Sequence, residues 1–376
     1  MNQFDVIIIG GGPSGALCGI ALQKAGFRTC VIDKSVFPRE KLCGGLLTQK
    51  SIDLLNLHCP ELDFSKLVLE EVDFIELYNH YDKVVEYKVK YPYRLTDRKI
   101  FDYLLISEYK NKGGFLFENA RIAKESIDVE QSTIKIGTDE FHYRILIGAD
   151  GCNSVVSKKF SPKRMDYFCL EGVQPKRPDE KRLSIHFGCA NVGYGWYFPK
   201  KTDYVIGVIG DNHHREIQSQ AEAYFSKVAS EKFGNVKGAF IPSGQKFYYL
   251  NTRSNVLLVG DAAGFIDPVT GEGLYYAMLS GILAAKAVMK AVENGSADYL
   301  DEYKQLTKNI RNEVKAAYRL QQLFYSRFFY KQIFRSLAKH KNFGLFYIDE
   351  VMSTYHYRYR NFIFQYFLKE RRKRTN

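Results

Sequence analysis

Phe4-Asp5-Val6-Ile7-Ile8-Ile9-Gly10-Gly11-Gly12-Pro13-Ser14-Gly15 opens a chain of 376 residues, and the fold reading starts there. Phe4–Ile9 is a dense apolar run rich in β-branched residues, as expected of a strand buried on both faces of a parallel sheet. Gly10, Gly12 and Gly15 follow at G-x-G-x-x-G spacing. Residues 13–25 read as a helix with Ala16, Leu17, Ile20, Ala21 and Leu22 on its apolar side. A second strand, Thr29–Ile32, ends in Asp33-Lys34. In such a unit the first glycine makes the tight turn, the second lets backbone approach a pyrophosphate, and the third lets helix and strand pack closely. The helix N-terminus then offers N–H groups and partial positive charge to the phosphates. Asp33 falls about 20 residues on, where a carboxylate accepts hydrogen bonds from a ribose. Strand, helix, second strand and acid in this order point to dinucleotide binding.

The chain is long enough for two lobes, and its 45% hydrophobic and 26% charged content is that of a globular protein. The best apolar stretch, Leu274–Val288, is too short for a membrane span and carries Tyr, Ser, Gly and Lys. The N-terminus enters its first strand without a basic region and cleavage site, so no signal peptide is expected. Seven cysteines, at 18, 30, 43, 59, 152, 169 and 189, are odd in number and never paired as C-x-x-C. This argues for reduced thiols in a cytoplasm and against a zinc site. No metal is expected. The net charge of +12 fits either an anionic partner or an ordinary basic surface.

Phe37-Pro-Arg-Glu-Lys41-Leu-Cys43-Gly44-Gly45-Leu46-Leu-Thr48 continues from the dinucleotide unit. Adjacent glycines mark a backbone passing close to something bulky. The loop's position favours cofactor contact, with Arg39 and Lys41 available to phosphates, over a plain surface loop before a helix Gln49–Leu57. Val72–Leu77 and Lys83–Tyr91 alternate polar and apolar, as antiparallel strands with one wet face do. Thr96 or Asp97 caps the next helix. Arg98 lies in its first turn, where the helix dipole disfavours a cation, and a phosphate contact is the expected reason. Phe115–Phe117 and Ile122 read as a strand, 127–136 with 139–144 as a hairpin, and Ile145–Gly148 as a separate buried strand ending in Asp150-Gly151. Leu183–Phe187, Gly195–Phe198 and Tyr204–Ile209 read as strands, and Gln218–Lys232 as an amphipathic helix. Asn255–Val259 is a third buried strand ending in Gly260-Asp261, followed by a helix from Gly273. Three segments (10–33, 150–151, 260–273) therefore converge at the carboxyl ends of one sheet, where ligands of open α/β sheets bind.

This pattern resembles the FAD proteins of the para-hydroxybenzoate hydroxylase type, whose three fingerprints stand here as Gly10–Gly15, Asp150-Gly151 and Gly260-Asp261. A narrower resemblance is to the geranylgeranyl reductase family. It rests on the Lys41-Leu-Cys43-Gly44-Gly45 loop, the Tyr194-Gly-Trp196-Tyr-Phe198-Pro199 box, and Gly260-Asp-Ala-Ala-Gly-Phe265 with Pro268-Val-Thr-Gly271-Glu-Gly273. On spacing alone the Tyr194–Pro199 stretch is a core aromatic cluster. The resemblance implies FAD as cofactor and two-electron reduction of C=C bonds in polyprenyl chains. It implies FAD contacts from Ser14, Asp33, Gly44, Leu46, Arg98, Ile122, Asp261, Gly273 and Leu274. Gly10, Gly12, Gly15, Lys34, Gly45, Asp150, Gly151, Gly260 and Gly271 complete the expected cofactor set. Cys43 is expected near the flavin as a catalytic proton donor or as a packing residue. Tyr194, Trp196 and Phe198 are expected to line the substrate cavity.

The expected fold class is α/β: a Rossmann-like FAD-binding domain (1–70, 96–165 and 251–298), an antiparallel-sheet substrate domain (71–95 and 166–250) and a helical C-terminal region (299–376). The expected substrate is an isoprenoid lipid or prenylated quinone. The electron donor is NAD(P)H or a ferredoxin-like protein. A flavin monooxygenase or flavin-dependent halogenase is the rival of the same fold, and a non-catalytic FAD-binding adaptor is the rival from another class. The C-terminal region mixes rings with cations: Leu323-Phe-Tyr325, Phe328-Phe-Tyr330, Arg327, Lys331 and Arg335, then Phe362-Ile-Phe364 and Tyr366-Phe-Leu368 before Lys369-Glu-Arg-Arg-Lys-Arg374. It reads as a helical cap with a solvated tail or as an anchor on an anionic membrane surface. No nucleic-acid motif accompanies it. The expected location is cytoplasmic, peripheral to the inner face of the membrane.

Overall fold

The computed structural model describes residues 2–163, 166–176, 182–211, 214–229, 235–354 and 358–366. Two sheets organise it. The first contains β1 (Gln3–Ile9), β2 (Thr29–Ile32), β6 (Phe115–Phe117), β7 (Ile127–Asp128), β8 (Thr133–Ile136), β9 (Asp139–Gly148) and β15 (Val256–Leu258). β6, β2, β1, β9 and β15 lie side by side and parallel, so all five carboxyl ends point one way. Val6–Ile8 and Ile145–Ile147 have no solvent exposure, which is why the sequence shows unbroken apolar runs there.

The second sheet runs β14 (Lys237–Pro242), β10 (Asp166–Pro175), β13 (Asp203–Gly210), β12 (Gly193–Pro199), β11 (Ser184–Phe187), β4 (Glu70–Asn79), β5 (Asp82–Leu95), β3 (Leu46–Leu47). All its neighbours pair antiparallel except β11 with β4. Leu46–Leu47 thus joins the second sheet, although it stands in the stretch that the sequence places with the cofactor-binding segments.

Several local expectations change. Residues 139–148 form one strand: its first half pairs with β8, and its second half pairs with β15 along the same edge. Ile122 is buried but lies outside any strand, in the loop after β6. The helix expected at Gln218–Lys232 is His214–Val228, and residues 230–234 lie outside the described residues. The helix after Gly273 runs Leu274–Glu293 and, by length and composition, is apolar enough to cross a membrane, contrary to the sequence reading. Here it is a core helix: Met278, Ala284, Ala285 and Val288 are fully buried, and it packs on the helix Pro13–Lys24. The helical C-terminal region begins with two helices, Tyr299–Leu306 and Lys308–Phe324. They meet at Thr307, whose hydroxyl bonds back to the Tyr303 carbonyl at 2.6 Å.

Helices Phe329–Lys339 and Lys341–Phe346 and a π-helical turn, Tyr347–Met352, follow. They cover the second sheet through rings. Phe324 and Phe334 stand 5.2 and 5.4 Å from Phe187, and Tyr330 Oη donates to Asn79 Oδ1 at 2.7 Å. The basic run Lys369–Arg374, with Phe367 and Leu368, lies outside the described residues.

Candidate FAD site and adjoining aromatic cleft

The three fingerprint segments meet at the carboxyl ends of β1, β9 and β15. A Cβ on Gly10 (φ +104°) would collide with the Ala149 carbonyl, and one on Gly15 would collide with the Gly10 carbonyl. A Cβ on Gly260 would press on Ser14 Oγ and Ala277. Gly10, Gly15 and Gly260 are therefore required by the fold itself. Gly12 differs. Its backbone is extended (φ −72°, ψ −177°), and an added Cβ would meet only Arg39 Nη2, at 3.7 Å. Among the described residues nothing demands glycine there, so the open space suits a group that must approach the backbone closely. The helix Pro13–Lys24 starts at Gly12 with no side-chain cap and no acid in its first turn, which leaves its N–H groups and dipole to an anion. The cradle fits the pyrophosphate of FAD.

Asp33 is buried and works on its own loop: Oδ2 accepts from Gly11 N at 2.8 Å and Oδ1 from Ser35 N at 2.9 Å. Arg39 lies 3.8 Å from Asp33 and 3.0 Å from Asp102. Lys34 is exposed beside them. Arg98 answers the puzzle of a cation in a first helical turn. Its Nε and Nη2 donate to Asp102 Oδ1 and Oδ2 at 2.7 and 2.8 Å. Burial opposes the Arg98 charge, but Asp102, one helical turn on, outweighs it, and the guanidinium is held above its ordinary pKa. The same guanidinium lies against the Cys43 thiol. Asp102 is a site residue that sequence reasoning missed, although an acid four residues after a buried arginine is a readable signal.

The Cys43 loop crosses between the two sheets. Gly45 N donates to Cys43 Sγ at 3.4 Å. Side chains on Gly44 and Gly45 would run into protein: Phe198 and Trp196 Nε1 in the first case, the Thr96 carbonyl in the second. These glycines let the loop lie against the aromatic box. Leu46 pairs with Leu95 across β3 and β5.

Asp150 Oδ2 accepts from Val155 N at 2.6 Å, while Oδ1 is buried without a partner. Burial pushes the carboxyl up, against the opposing Ser154 and Val155 bonds. Gly151 (φ +75°) turns the chain there with open space around it. Gly260 N donates to Ser280 Oγ at 2.8 Å, and half-buried Asp261 faces Gly273, whose Cβ would stand 3.7 Å from Asp261 Oδ1. Leu274 begins the core helix.

The loop Asp267–Gly273 forms the wall shared with the second sheet. Asp267 Oδ1 accepts from Val269 N and Thr270 N, and Oδ2 accepts from Tyr359 Oη at 2.6 Å. Glu272 is fixed by Lys50 at 2.7 Å and Thr48 at 2.6 Å. Burial pushes Glu272 up, and Lys50 opposes it. Gln321 Nε2 donates to the Pro268 carbonyl at 2.6 Å. Tyr194 Oη donates to the Thr270 carbonyl, and Gly271 (φ +67°) passes directly under that hydroxyl. Lys50, Asp267, Gln321 and Tyr359 carry no motif of their own in the sequence, whereas Glu272 stands within the Pro268–Gly273 motif.

Tyr194, Trp196 and Phe198 share one face of β12, with Trp196 6.3 Å from Tyr194 and 6.5 Å from Phe198. Trp196 and Phe198 are buried in the second core, and Tyr194 is half-buried. Tyr194 also lines a narrow cleft with Tyr167, Ile209, Pro268, Gly271 and Tyr325. Among the described residues no His, Cys, Asp or Glu cluster has the makings of a metal site.

Residues 3–168 match the family described as an FAD binding domain. An uncharacterized protein of Methanosarcina barkeri is 30% identical over 343 residues, 86% of this chain and 84% of that protein. The digeranylgeranylglycerophospholipid reductase of Methanococcus aeolicus is 26% identical over 328 residues, 82% of each chain. Among solved structures, a geranylgeranyl bacteriochlorophyll reductase-like protein of Thermoplasma acidophilum superposes with a TM-score of 0.76 at 19% identity, over 86% of this chain and 88% of that one. An FAD cradle built at Gly12 and joined through the Asp267–Gly273 loop to an aromatic cleft, taken with these similarities, makes the chain a member of the geranylgeranyl reductase family of FAD-dependent oxidoreductases.

Proposed function

We propose that the protein saturates C=C bonds of a polyprenyl chain carried on a lipid or quinone headgroup. One observation carries the reading. Tyr194, first of the ring row on β12, is bonded to Thr270 in the loop that closes the cofactor cradle, so cleft and cradle share a wall. An isolated alkene has no polarised carbonyl to exploit, so its reduction calls for a closely fitted apolar slot that excludes water and holds the chain in register. Tyr167, Ile209, Pro268 and Tyr325 provide such walls. Bound FAD, once reduced by NAD(P)H or a ferredoxin-like protein, supplies hydride there. Gly12 and the helix beginning at Pro13 hold its pyrophosphate, and the Cys43 loop closes the site. In this reading Cys43 gives the proton, which the Arg98 guanidinium beside its thiol supports.

Extraction of a polyprenyl chain from a bilayer favours a peripheral membrane position. Phe328 (70% exposed) and Phe364 (64%), with Phe329 and Ile363, are solvent-facing rings and side chains of the C-terminal region. They suit a headgroup boundary. Co-flotation with liposomes tests this: binding is expected with anionic vesicles, weakening in salt, and equal recovery with neutral vesicles rejects it.

The decisive test for the reaction is anaerobic. Dithionite-reduced protein is mixed with a digeranylgeranyl glycerophospholipid, and the product is weighed by mass spectrometry. A gain of two hydrogens per double bond, with return of the oxidised flavin spectrum, is expected. Turnover that requires oxygen and inserts oxygen or halogen into the substrate would sink the reading in favour of a monooxygenase or halogenase.

A further inference from the structure

Glu171 sits on β10 facing the same interior as Tyr167 and Cys169, on alternate residues of the strand. Tyr167 lines the cleft, Cys169 is buried in the second core, and two residues past Glu171 the strand surfaces at Val173, which is 53% exposed. Glu171 is thus the last inward side chain between cavity and solvent. Across the sheet it stands in one row with Gly207 and Trp196. A Cβ on Gly207 would collide with the Trp196 ring, so the indole crosses Gly207 toward Glu171. Trp196 Nε1 faces Gly44, where a Cβ would stand 3.3 Å from it. Two buried polar atoms without partners, Glu171 Oε2 and Trp196 Nε1, therefore lie beside the Cys43-Gly44 loop. The Cys43 backbone N–H points at the Glu171 carboxyl, and no ion pair holds that carboxyl among the described residues. Native interiors seldom leave such atoms orphaned without a functional reason.

We propose that Glu171 is the proton-relay residue of this site, returning a proton to the Cys43 side of the cavity after each bond is reduced. The proposal rests on the alkene reduction proposed above. Reduction of one alkene breaks its π bond and forms two C–H bonds. One carbon takes a hydride, two electrons and a proton, from the reduced cofactor. The other takes the proton of the Cys43 S–H, and Arg98 stands beside the sulfur left with the negative charge. The Glu171 O–H then breaks to restore S–H, and one proton from water recharges the carboxylate. Burial pushes the Glu171 carboxyl up to about 7, so it holds a proton near neutrality yet can release it. The groups that face it are Lys200 after β12 and Lys237 on β14, which favour its anion, the Cys43 N–H, which does the same, and Asp97 before the helix Arg98–Asn111, which opposes it. Cys169 shares its strand face and is itself pushed up by burial and by Glu171.

Carbon-13 NMR of FAD-loaded protein labelled at the glutamate carboxyls, assigned by difference with Glu171→Gln, reads the titration without any substrate. A midpoint near 7 is expected. A midpoint in the ordinary carboxylate range overturns the proposal. In the anaerobic multiple-turnover reaction with excess dithionite and a digeranylgeranyl glycerophospholipid, the wild-type rate is expected to fall about tenfold per pH unit above that midpoint. Glu171→Gln should lower the rate by roughly a hundredfold at pH 6 and flatten the profile, with Glu171→Asp recovering most of it. A Glu171→Gln protein with the wild-type rate and pH profile overturns the proposal. If wild-type protein reduces no polyprenyl lipid, the functional reading fails and takes the relay with it, whereas normal wild-type reduction with a Glu171 midpoint in the ordinary carboxylate range overturns the relay alone.

Discussion

Two loops cradle the same site and are held in opposite ways. The Gly10–Gly15 turn is tied by its own neighbourhood: Gly10 N donates to the Ile32 carbonyl and Gly11 N to Asp33 Oδ2, both at 2.8 Å. The Asp267–Gly273 loop has local turns of its own, but its anchors come from the whole chain. Thr48 reaches Glu272 across 224 positions, Tyr359 reaches Asp267 across 92, and Gln321 reaches Pro268 across 53. The first loop is a motif, complete once a βαβ unit has formed. The second takes shape only when both sheets and the C-terminal helices are in place. A dinucleotide cradle can therefore pre-exist, whereas the wall facing the substrate depends on the finished fold.

The harshest way to break this contrast is at Lys50. Lys50→Met strips the buried Glu272 of its ion pair, which should cost about 3–5 kcal/mol in urea unfolding. The sign with pH is fixed. Glu272 is already pushed up by burial, and losing Lys50 raises it further, so folding stability is lost as pH rises through the folded-state value. The deficit should be smaller at pH 5 than at pH 8; an equal deficit at both would mean that Glu272 carries no charge in the native protein.

Gly12→Val is the corresponding break on the local side, and it should dissociate cofactor from fold. FAD affinity should drop by roughly a hundredfold or more, about 2.8 kcal/mol, in a dialysis titration. Thermal stability of the apoprotein should move by no more than about 0.5 kcal/mol, since the added atoms meet open space. Gly15→Val is the contrasting control, because its side chain strikes the Gly10 carbonyl and should prevent folding. If the Gly12 variant keeps full FAD, the phosphate role of this turn is wrong.

Tyr359→Phe removes one hydrogen bond to the Asp267 carboxylate, worth about 1.5–3 kcal/mol. Hydrogen exchange should accelerate in 267–273 and remain unchanged in 10–16. Acceleration in both loops would show that they are a single cooperative unit. The mildest probe is Tyr194→Phe, which removes a neutral bond to the Thr270 carbonyl at about 1 kcal/mol. It should weaken lipid binding more than FAD binding, and equal losses would place Tyr194 in the cofactor wall alone.

What could be read from residues alone follows the same division. Phe4–Ile9, Thr29–Ile32 and Ile145–Gly148 announce buried parallel strands because both faces are apolar. Helix-dipole reasoning sees only the first turn and leaves Arg98 an unexplained cation, whereas its partner Asp102 lies one turn on. The aromatic box read as core from its spacing, and Trp196 and Phe198 are indeed buried in core; Tyr194, at the same period, meets the cleft. Alternation assigns a face to each ring but not the element that covers it. The apolar stretch Leu274–Val288 read as too short for a membrane span, whereas the helix that holds it runs on to Glu293.

By itself the sequence determined the βαβ cradle, the convergence of three strand ends and the family, because each rests on interactions within a few turns or on backbone spacings that glycine alone permits. Only the tertiary structure decided that Lys50 and Thr48 hold Glu272, that Tyr359 and Gln321 hold the loop from Asp267 to Gly273, and that Glu171 lies behind Cys43 without an ion pair among the described residues. Those contacts join residues far apart in the chain, and no local propensity or period encodes which distant polar group will meet which once water has been excluded between them.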